Sequence, residues 1–187
     1  MDGSAGSASA SAGRRWRRSR TAWATAVAAL IGLGAVVVIS AGGQPLRAAR
    51  NFSLPELGHD GRTVSLTAYA GRPVIINFFA SWCAPCKRET PLLAKFYRAH
   101  DEKVAIIGVD SNDEAGAALR FLASDHVTYP VAVDAFPDPV AAAYDIAELP
   151  QTFVLNSRHQ IVQHVSGNVT MPELTAWASS LARAGPG

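Results

Sequence analysis

Residues 78–86 read Phe78-Phe79-Ala80-Ser81-Trp82-Cys83-Ala84-Pro85-Cys86 and contain both cysteines of the 187-residue chain. The stretch closes an apolar run that begins at Val74, and a segment with helical spacing follows it. A strand that delivers two thiols to the first turn of a helix is typical of redox proteins. The first N–H groups and the positive end of the helix dipole favour a thiolate there. We therefore expect Cys83, the better exposed by position, to attack and Cys86 to resolve the mixed disulfide.

Two other uses of the Cys-x-x-Cys pair have to be weighed. A closed zinc site needs four ligands. The five histidines show no ligand spacing and are interpreted as surface residues: His59, His100, His126, His159 and His164. A purely structural disulfide would close a loop too short to restrain the unfolded chain much. Redox chemistry is the preferred interpretation, and neither a metal nor a cofactor is expected.

The N-terminal segment has a charge pattern of its own. Five arginines lie within residues 1–20, whereas residues 21–41 contain no charged side chain. As a helix, the uncharged segment spans roughly 30 Å, which is enough to cross a membrane. Because cytoplasmic flanks are rich in basic residues, we expect a single-pass protein with its N-terminus in the cytoplasm. The expected parts are a disordered basic tail at 1–20, a transmembrane anchor at 21–41, a linker at 42–50 and a folded domain at 51–184, which lies outside the cytoplasm.

A cleaved signal peptide is the competing interpretation of the same segment, since small residues near Ala41 offer a cleavage site. The paired arginines also suggest a twin-arginine signal, but their flanking residues fit it poorly. Every one of these interpretations places the domain outside the cytoplasm, where disulfide chemistry is physiological. Apart from the N-terminal arginines the chain is slightly acidic, so we expect no nucleic-acid partner.

Hydrophobic periodicity and turn signals predict a mixed α/β sheet. Val74 to Phe79 is apolar on both faces, as expected of a central strand covered by helices. One hairpin is expected around Asp60-Gly61 and another around residues 156–158. The other expected elements are strands at 104–109 and 131–133 and helices from Cys83 onward and at 113–124, 139–144 and 171–183.

Two distant motifs resemble those of thioredoxin-fold proteins. The residues from Asn77 to Cys86 are similar to the active-site strand and helix start of that fold, and Leu149 to Phe153 is similar to its cis-proline segment. Similarity to the membrane-anchored TlpA/ResA/CcmG-like branch lies in residues 52–55, 60–61 and 71–74 and in the insertion from Ser111 to Asp145. The resemblance implies a thioredoxin-like α/β fold, with a mixed central sheet flanked by helices.

The resemblance implies a role for each residue around the dithiol. Cys83 is the attacking thiol, Cys86 is the resolving thiol and Pro150 is the cis-proline beside them, with an ordinary loop proline as the alternative. Since a cis-proline leaves the preceding backbone free to pair with an extended chain, Leu149 and Pro150 would bind substrate. Trp82 would contact substrate or shield the thiols, with a simple packing residue as the alternative.

Two further positions bear on proton transfer. Glu89 stands three residues after Cys86, where ResA-like proteins carry an acidic residue that tunes the thiols. A solvated helix charge is the alternative for Glu89. Asn77 replaces the buried aspartate of many thioredoxins, which argues against a proton relay at this position and shifts attention to Glu89.

The implied function is thiol–disulfide exchange on exported proteins. Members of the branch often keep the cysteines of apocytochrome c reduced for haem attachment, while others act more generally on exported proteins. A membrane redox partner is expected to supply the electrons. An oxidant that inserts disulfides is the alternative. A change of about 30 mV in reduction potential corresponds to only about 1.4 kcal/mol, so the motif itself does not decide between the two directions. Two more distant alternatives are a thiol peroxidase and a copper-binding module. Ala80 stands where the peroxidase would have a threonine, and copper chaperones space their cysteines one residue further apart.

Overall fold

The computed structural model describes residues 46–183. The strands in this range are β1 (Ser53–Pro55), β2 (Thr63–Ser65), β3 (Val74–Phe79), β4 (Ala105–Ser111), β5 (Val131–Asp134), β6 (Gln151–Leu155) and β7 (Ile161–Ser166). The α-helices are α1 (Ala84–His100), α2 (Ala115–Ser124), α3 (Pro139–Ala143) and α4 (Met171–Arg183). A short 3-10 helix at Leu66–Tyr69, which the sequence analysis did not predict, follows β2.

No helix within residues 46–183 is long and apolar enough to cross a membrane. The tail predicted at 1–20 and the anchor predicted at 21–41 lie outside the described residues. Part of the predicted linker belongs to the folded unit. Ala48 bridges Gln160, and the Ile161 N–H donates to the Arg47 carbonyl at 2.8 Å.

Strand β3 is the centre of a five-stranded mixed sheet with the order β5-β4-β3-β6-β7. It pairs parallel with β4 and antiparallel with β6, and all of its residues are buried. This confirms the prediction of a central strand covered on both faces. Both predicted hairpins are present, because β1 pairs antiparallel with β2 and β6 with β7.

Successive side chains of β3 point to opposite faces of the sheet and so help to build two cores. Ile75 and Phe79 pack with apolar residues of α1, α2 and α4. Ile76 and Phe78 pack on the other face with the 3-10 helix and α3, where the Phe78 ring lies 5.2 Å from that of Tyr144. The residues after β3 are therefore held between two packed layers at one edge of the sheet.

Helix α1 begins directly after Cys83, whose extended backbone places it at the N-cap position. Pro85 falls in the first turn, where a missing N–H costs little. Pro91 lies in the helix interior, and the helix nevertheless continues to His100. Buried side chains such as Leu93 anchor its inner face to the core beyond the proline.

Helix α2 begins at Ala115, two residues later than the sequence predicts. The Glu114 carboxylate caps the helix by accepting hydrogen bonds from the N–H groups of Gly116 at 2.9 Å and Ala117 at 2.7 Å. Asp113, which the sequence analysis placed inside the helix, instead contacts Ser81 in front of the cysteines.

The packing of α1 predicts a large loss of stability on truncation of Leu93, which is fully buried. We expect Leu93→Ala to lower the free energy of unfolding by about 2–5 kcal/mol, because it leaves a cavity in the core. Leu119→Ala on α2 is the matched control, since its side chain is 43% exposed. It should cost less than about 1 kcal/mol. Urea denaturation of the full-length chain measures both, and equal losses would contradict this account of the core.

Candidate active site

Cys83 and Cys86 form a disulfide at the start of α1. Their sulfur atoms are 2.10 Å apart and their Cα atoms 5.3 Å apart. Both side chains are buried, Cys83 at 5% exposure and Cys86 at 1%. Cys83 is therefore the slightly more exposed of the two, in the order that the sequence predicts.

The first turn of α1 directs a backbone N–H group at the Cys83 sulfur. Cys83 Sγ accepts a hydrogen bond from the Cys86 N–H at 3.2 Å. The Cys83 carbonyl accepts one from the Lys87 N–H at 3.2 Å, which closes the turn. Since the helix dipole also has its positive end here, a thiolate at Cys83 is favoured once the disulfide is reduced.

Glu89 lies one turn beyond Cys86 on the buried side of α1, with 1% of its surface exposed. Its Oε1 accepts a hydrogen bond from Asn77 Nδ2 at 2.6 Å, and its Oε2 accepts one from the Val169 N–H at 2.7 Å. Asn77 Nδ2 also donates to Thr152 Oγ1 at 3.0 Å. The alternative that Glu89 is a solvated helix charge is therefore wrong.

Burial raises the pKa of Glu89 above its ordinary value, because desolvation penalises the charged form. The hydrogen bonds from Val169 and Asn77 act in the opposite direction but by less. Glu89 therefore keeps its proton to a higher pH in the folded protein than in the unfolded chain. Since Cys86 precedes it by three residues on the same helix face, a charge on Glu89 opposes a thiolate in the dithiol.

The loop between β7 and α4 connects the start of α1 to the Pro150 segment. Asn168 Nδ2 donates to the Pro85 carbonyl at 2.8 Å, and the Gly167 N–H donates to the Pro150 carbonyl at 2.9 Å. Gly167 has a φ of 95°, which favours glycine at this position. No role is predictable for this loop from the sequence, because nothing local marks a contact with residues so distant along the chain.

The Leu149–Pro150 peptide bond is cis, as the resemblance implies. Pro150 directly precedes β6, which pairs with β3, the strand that leads to the cysteines. Within residues 46–183 the N–H and C=O groups of Leu149 make no hydrogen bond to other backbone groups. These groups are available to pair with an extended peptide.

Trp82 and Leu149 line one cavity of about 210 Å³, together with Ser111, Asn112 and Asp138. Trp82 is 61% exposed, and its Nε1 donates to the Asn112 carbonyl at 3.1 Å. The structure therefore brings two of the three residues predicted to bind substrate, Trp82 and Leu149, to the same surface. Exposed aromatic area beside a reactive disulfide suits contact with a protein substrate.

Three acidic residues near the site were missed by the sequence analysis. Asp110 is the penultimate residue of β4 and is buried, Asp113 contacts Ser81, and Glu114 caps α2. Their position in the sequence could have indicated this, because they lie at or just after the carboxyl end of β4, which runs parallel to β3. The carboxyl ends of parallel strands meet at one edge of the sheet.

Among residues 46–183 no three His, Cys, Asp or Glu side chains are grouped so that they could hold a metal ion. All five histidines are exposed or half-buried. Some of them still have structural contacts, since the His164 ring stacks on Phe153 at 4.1 Å between centroids.

Comparison with known proteins places this geometry in a family. Residues 41–176 match the Redoxin family. The chain belongs to the Redoxin family. It is 34% identical over 123 residues to the thiol-disulfide oxidoreductase ResA of Bacillus subtilis (strain 168), covering 65% of this chain and 67% of ResA.

Solved structures of similar proteins share the Redoxin fold seen here. A DsbF homologue from Corynebacterium diphtheriae superposes with a TM-score of 0.66 at 25% identity, covering 73% of this chain and 88% of that one. StoA from Bacillus subtilis gives a TM-score of 0.59 at 26% identity, covering 70% and 97%. This Redoxin is therefore a thiol–disulfide oxidoreductase of the TlpA/ResA/CcmG-like kind with a thioredoxin-like fold.

The buried position of Glu89 predicts an effect on the ionisation of the reduced thiols. We expect Glu89→Gln to shift thiolate formation to lower pH, because it removes a negative charge that opposes the thiolate. Ultraviolet thiolate absorbance of the reduced full-length chain, followed against pH, measures this shift.

Glu102→Gln is the matched control for this titration, because Glu102 is exposed beyond the end of α1. Its titration curve should coincide with that of the unsubstituted protein. If the Glu89→Gln curve coincides as well, Glu89 does not tune the dithiol. The two thiols are coupled, so the curves are compared as a pair rather than assigned to single residues.

Proposed function

We propose that this Redoxin is a membrane-anchored, extracytoplasmic reductant of disulfides in exported proteins, with apocytochrome c among its substrates. The observation that carries the proposal is the Cys83–Cys86 pair at the start of α1, with the buried carboxyl of Glu89 behind it. Its resemblance to the TlpA/ResA/CcmG-like branch supports the substrate class. The arginine-rich tail and the uncharged segment at 21–41 support the compartment.

The reaction begins with the reduced dithiol. The Cys83 thiolate attacks one sulfur of a substrate disulfide, forms a mixed disulfide and releases one substrate thiolate. Cys86 then loses its proton and attacks the Cys83 sulfur, which releases the second substrate thiolate. The substrate gains two electrons, and the enzyme is left as the Cys83–Cys86 disulfide. A membrane redox partner returns it to the dithiol by supplying two electrons.

The environment of Glu89 favours the reducing direction. A dithiol becomes a strong oxidant when its reduced form is stabilised, chiefly as a thiolate. A buried carboxyl one turn from Cys86 has the opposite effect when it ionises, because like charges in a poorly solvated site repel. The reduced form is then less stable and passes its electrons on more readily.

Substrate binding in this proposal uses the surface beside the disulfide. The free N–H and C=O groups of Leu149 would pair with an extended segment that contains the substrate cysteine. Trp82 would cover the apolar side chains next to that cysteine, since its ring is exposed on the shared cavity. Pro150 has no N–H, so it leaves the approach to the disulfide free of a competing donor.

The order of the two thiols is tested by trapping. Cys86→Ser, expressed in its native membrane, should accumulate mixed disulfides through Cys83, because the resolving thiol is absent. The adducts should run as larger bands that disappear with reductant. Cys83→Ser is the matched control and should accumulate few, since the Cys86 thiol is almost fully buried.

The trapped proteins then decide between the two directions. Apocytochrome c carrying its haem-attachment cysteines supports the reductant, whereas a broad set of exported proteins favours an oxidant. Equal trapping by both variants would contradict the assigned roles. An absence of adducts in both would contradict exchange on protein substrates.

The compartment is tested by labelling with a maleimide that does not cross membranes. Both cysteines of the chain lie in the folded domain, so labelling after mild reduction of intact cells reports its location. We expect labelling without breaking the membrane. A cysteine placed in the tail by Ser4→Cys, in a chain with both native cysteines changed to serine, should react only after permeabilisation. The reverse pattern would overturn the proposed topology.

A further inference from the structure

The loop between β4 and α2 holds the two residues that precede Cys83. The backbone N–H of Ser81 donates to Asp113 Oδ2, and Ser81 Oγ donates to Asp113 Oδ1 at 2.9 Å. Trp82 Nε1 donates to the Asn112 carbonyl at 3.1 Å. We call these three hydrogen bonds the loop clamp. Because Ser81 and Trp82 lead directly into Cys83, the loop clamp fixes the backbone that presents the attacking sulfur.

The loop clamp is itself anchored to the sheet. The Asn112 N–H donates to the Asp134 carbonyl at the end of β5, at 3.2 Å. Asn112 has a φ of 49°, in the left-handed region that asparagine tolerates better than most residues. The Glu114 N–H donates to Asp113 Oδ1 at 2.7 Å, which orients the carboxylate further.

Asp110 stands behind Asp113, at the end of β4 and opposite Phe79 of β3. It is 2% exposed, and its Oδ1 is buried without a hydrogen-bond partner in the described part of the chain. Desolvation, followed by the charge of Asp113 and a hydrogen bond to it, raises the pKa of Asp110 to about 8. At neutral pH Asp110 is therefore a neutral acid that shares its proton with Asp113.

The charges around the two carboxyls do not neutralise them. Lys87 on α1 and Arg120 on α2 line a cavity of about 420 Å³ with Ser81. Arg120 lies 3.8 Å from Glu114, and among residues 46–183 neither Asp110 nor Asp113 has an ion-pair partner. On the β5 side, the Asp134 carboxylate accepts hydrogen bonds from the N–H groups of α3. Hydrogen-bond donors, rather than cations, hold Asp113.

We propose that Asp113 is a positioning residue for disulfide exchange, and that Asp110 keeps it in place by sharing a proton with it. The inference rests on exchange at Cys83 and not on the substrate or the compartment. In this proposal Asp113 does not contact either sulfur, and it acts by holding Ser81. Loss of the shared proton leaves two carboxylates side by side, and their repulsion moves Asp113 away from Ser81.

The attack step is isolated in the Cys86→Ser background, where only Cys83 reacts. The reduced full-length chain is mixed with dithiobis(nitrobenzoate) in a stopped-flow cell. The Cys83 thiolate forms a mixed disulfide with the probe and releases one coloured thiolate. The rate constant is divided by the thiolate fraction at each pH, which is measured by ultraviolet absorbance. The corrected rate constant then reports orientation and access rather than ionisation.

Asp113→Ala should slow the corrected rate by at least about tenfold at neutral pH, the scale of one lost hydrogen bond to a charged group. Glu114→Ala is the matched control. It deletes the next carboxylate and the cap of α2 but leaves the loop clamp, so its rate should stay within about twofold of the parent's. Equal slowing in the two variants would mean that the loop only needs to fold, and an unchanged rate in Asp113→Ala would refute the positioning role.

Asp110→Asn tests the shared proton. The parent protein should lose corrected rate as pH rises past about 8, where Asp110 ionises. The asparagine amide keeps a donor for Asp113 at every pH, so this variant should match the parent at neutral pH and lack the decline. Asp110 binds its proton more tightly in the folded protein than in the unfolded chain. As pH rises from about 4 to about 8, the free energy of unfolding of the parent should therefore fall relative to that of Asp110→Asn. A decline that persists in Asp110→Asn would overturn the role of Asp110.

Discussion

The buried carboxyl of Glu89 connects the parts of this domain that the reaction needs. A carboxyl with 1% exposure is tolerated only when its oxygens are satisfied by donors. Those donors come from β3 through Asn77 and from the segment before α4 through Val169. Asn77 in turn reaches Thr152 of β6. One side chain of α1 therefore fixes the helix against two neighbouring strands of the sheet and against the loop that contacts Pro150.

Two carboxyl systems contact different segments around the dithiol and act in different ways. Glu89 lies beneath Cys86, and its charge bears on how readily the thiols ionise. Asp110 is the penultimate residue of β4 and Asp113 follows the strand, and both bear on the backbone in front of Cys83. Ionisation and orientation are thus controlled by separate groups. This separation explains how the site keeps three acidic side chains close to a thiol that must become an anion.

The sequence predicts the helices and strands well, but it predicts the side-chain contacts between them poorly. The bounds of β3 and α4 are those expected, since an apolar run and a strong amphipathic pattern are local signals. The spacing of Glu89 from Cys86 placed it correctly on the helix, but its burial depends on Asn77 and Val169, and local pattern does not reveal such partners. Asp113 was assigned to α2 as the first residue of the predicted helix at 113–124, whereas the structure uses its carboxylate to hold Ser81. The 3-10 helix at Leu66–Tyr69 was missed because one turn is too short for a periodic signal.

Family membership gives the chemistry of this chain but not its direction. The same Cys-x-x-Cys pair serves reductants and oxidants, and the difference lies in the stability of the reduced form. The helix N-terminus stabilises a Cys83 thiolate, and the negative charge of Glu89 opposes that thiolate when the buried carboxyl ionises. Desolvation outweighs the hydrogen bonds to that carboxyl, so the pKa of Glu89 is raised above that of an exposed glutamate. A site with an ionisable carboxyl, rather than a cation, beside its resolving thiol offers the thiolate no opposite charge, and it opposes the thiolate once Glu89 ionises. This electrostatic balance is the physical reason for assigning the reducing direction.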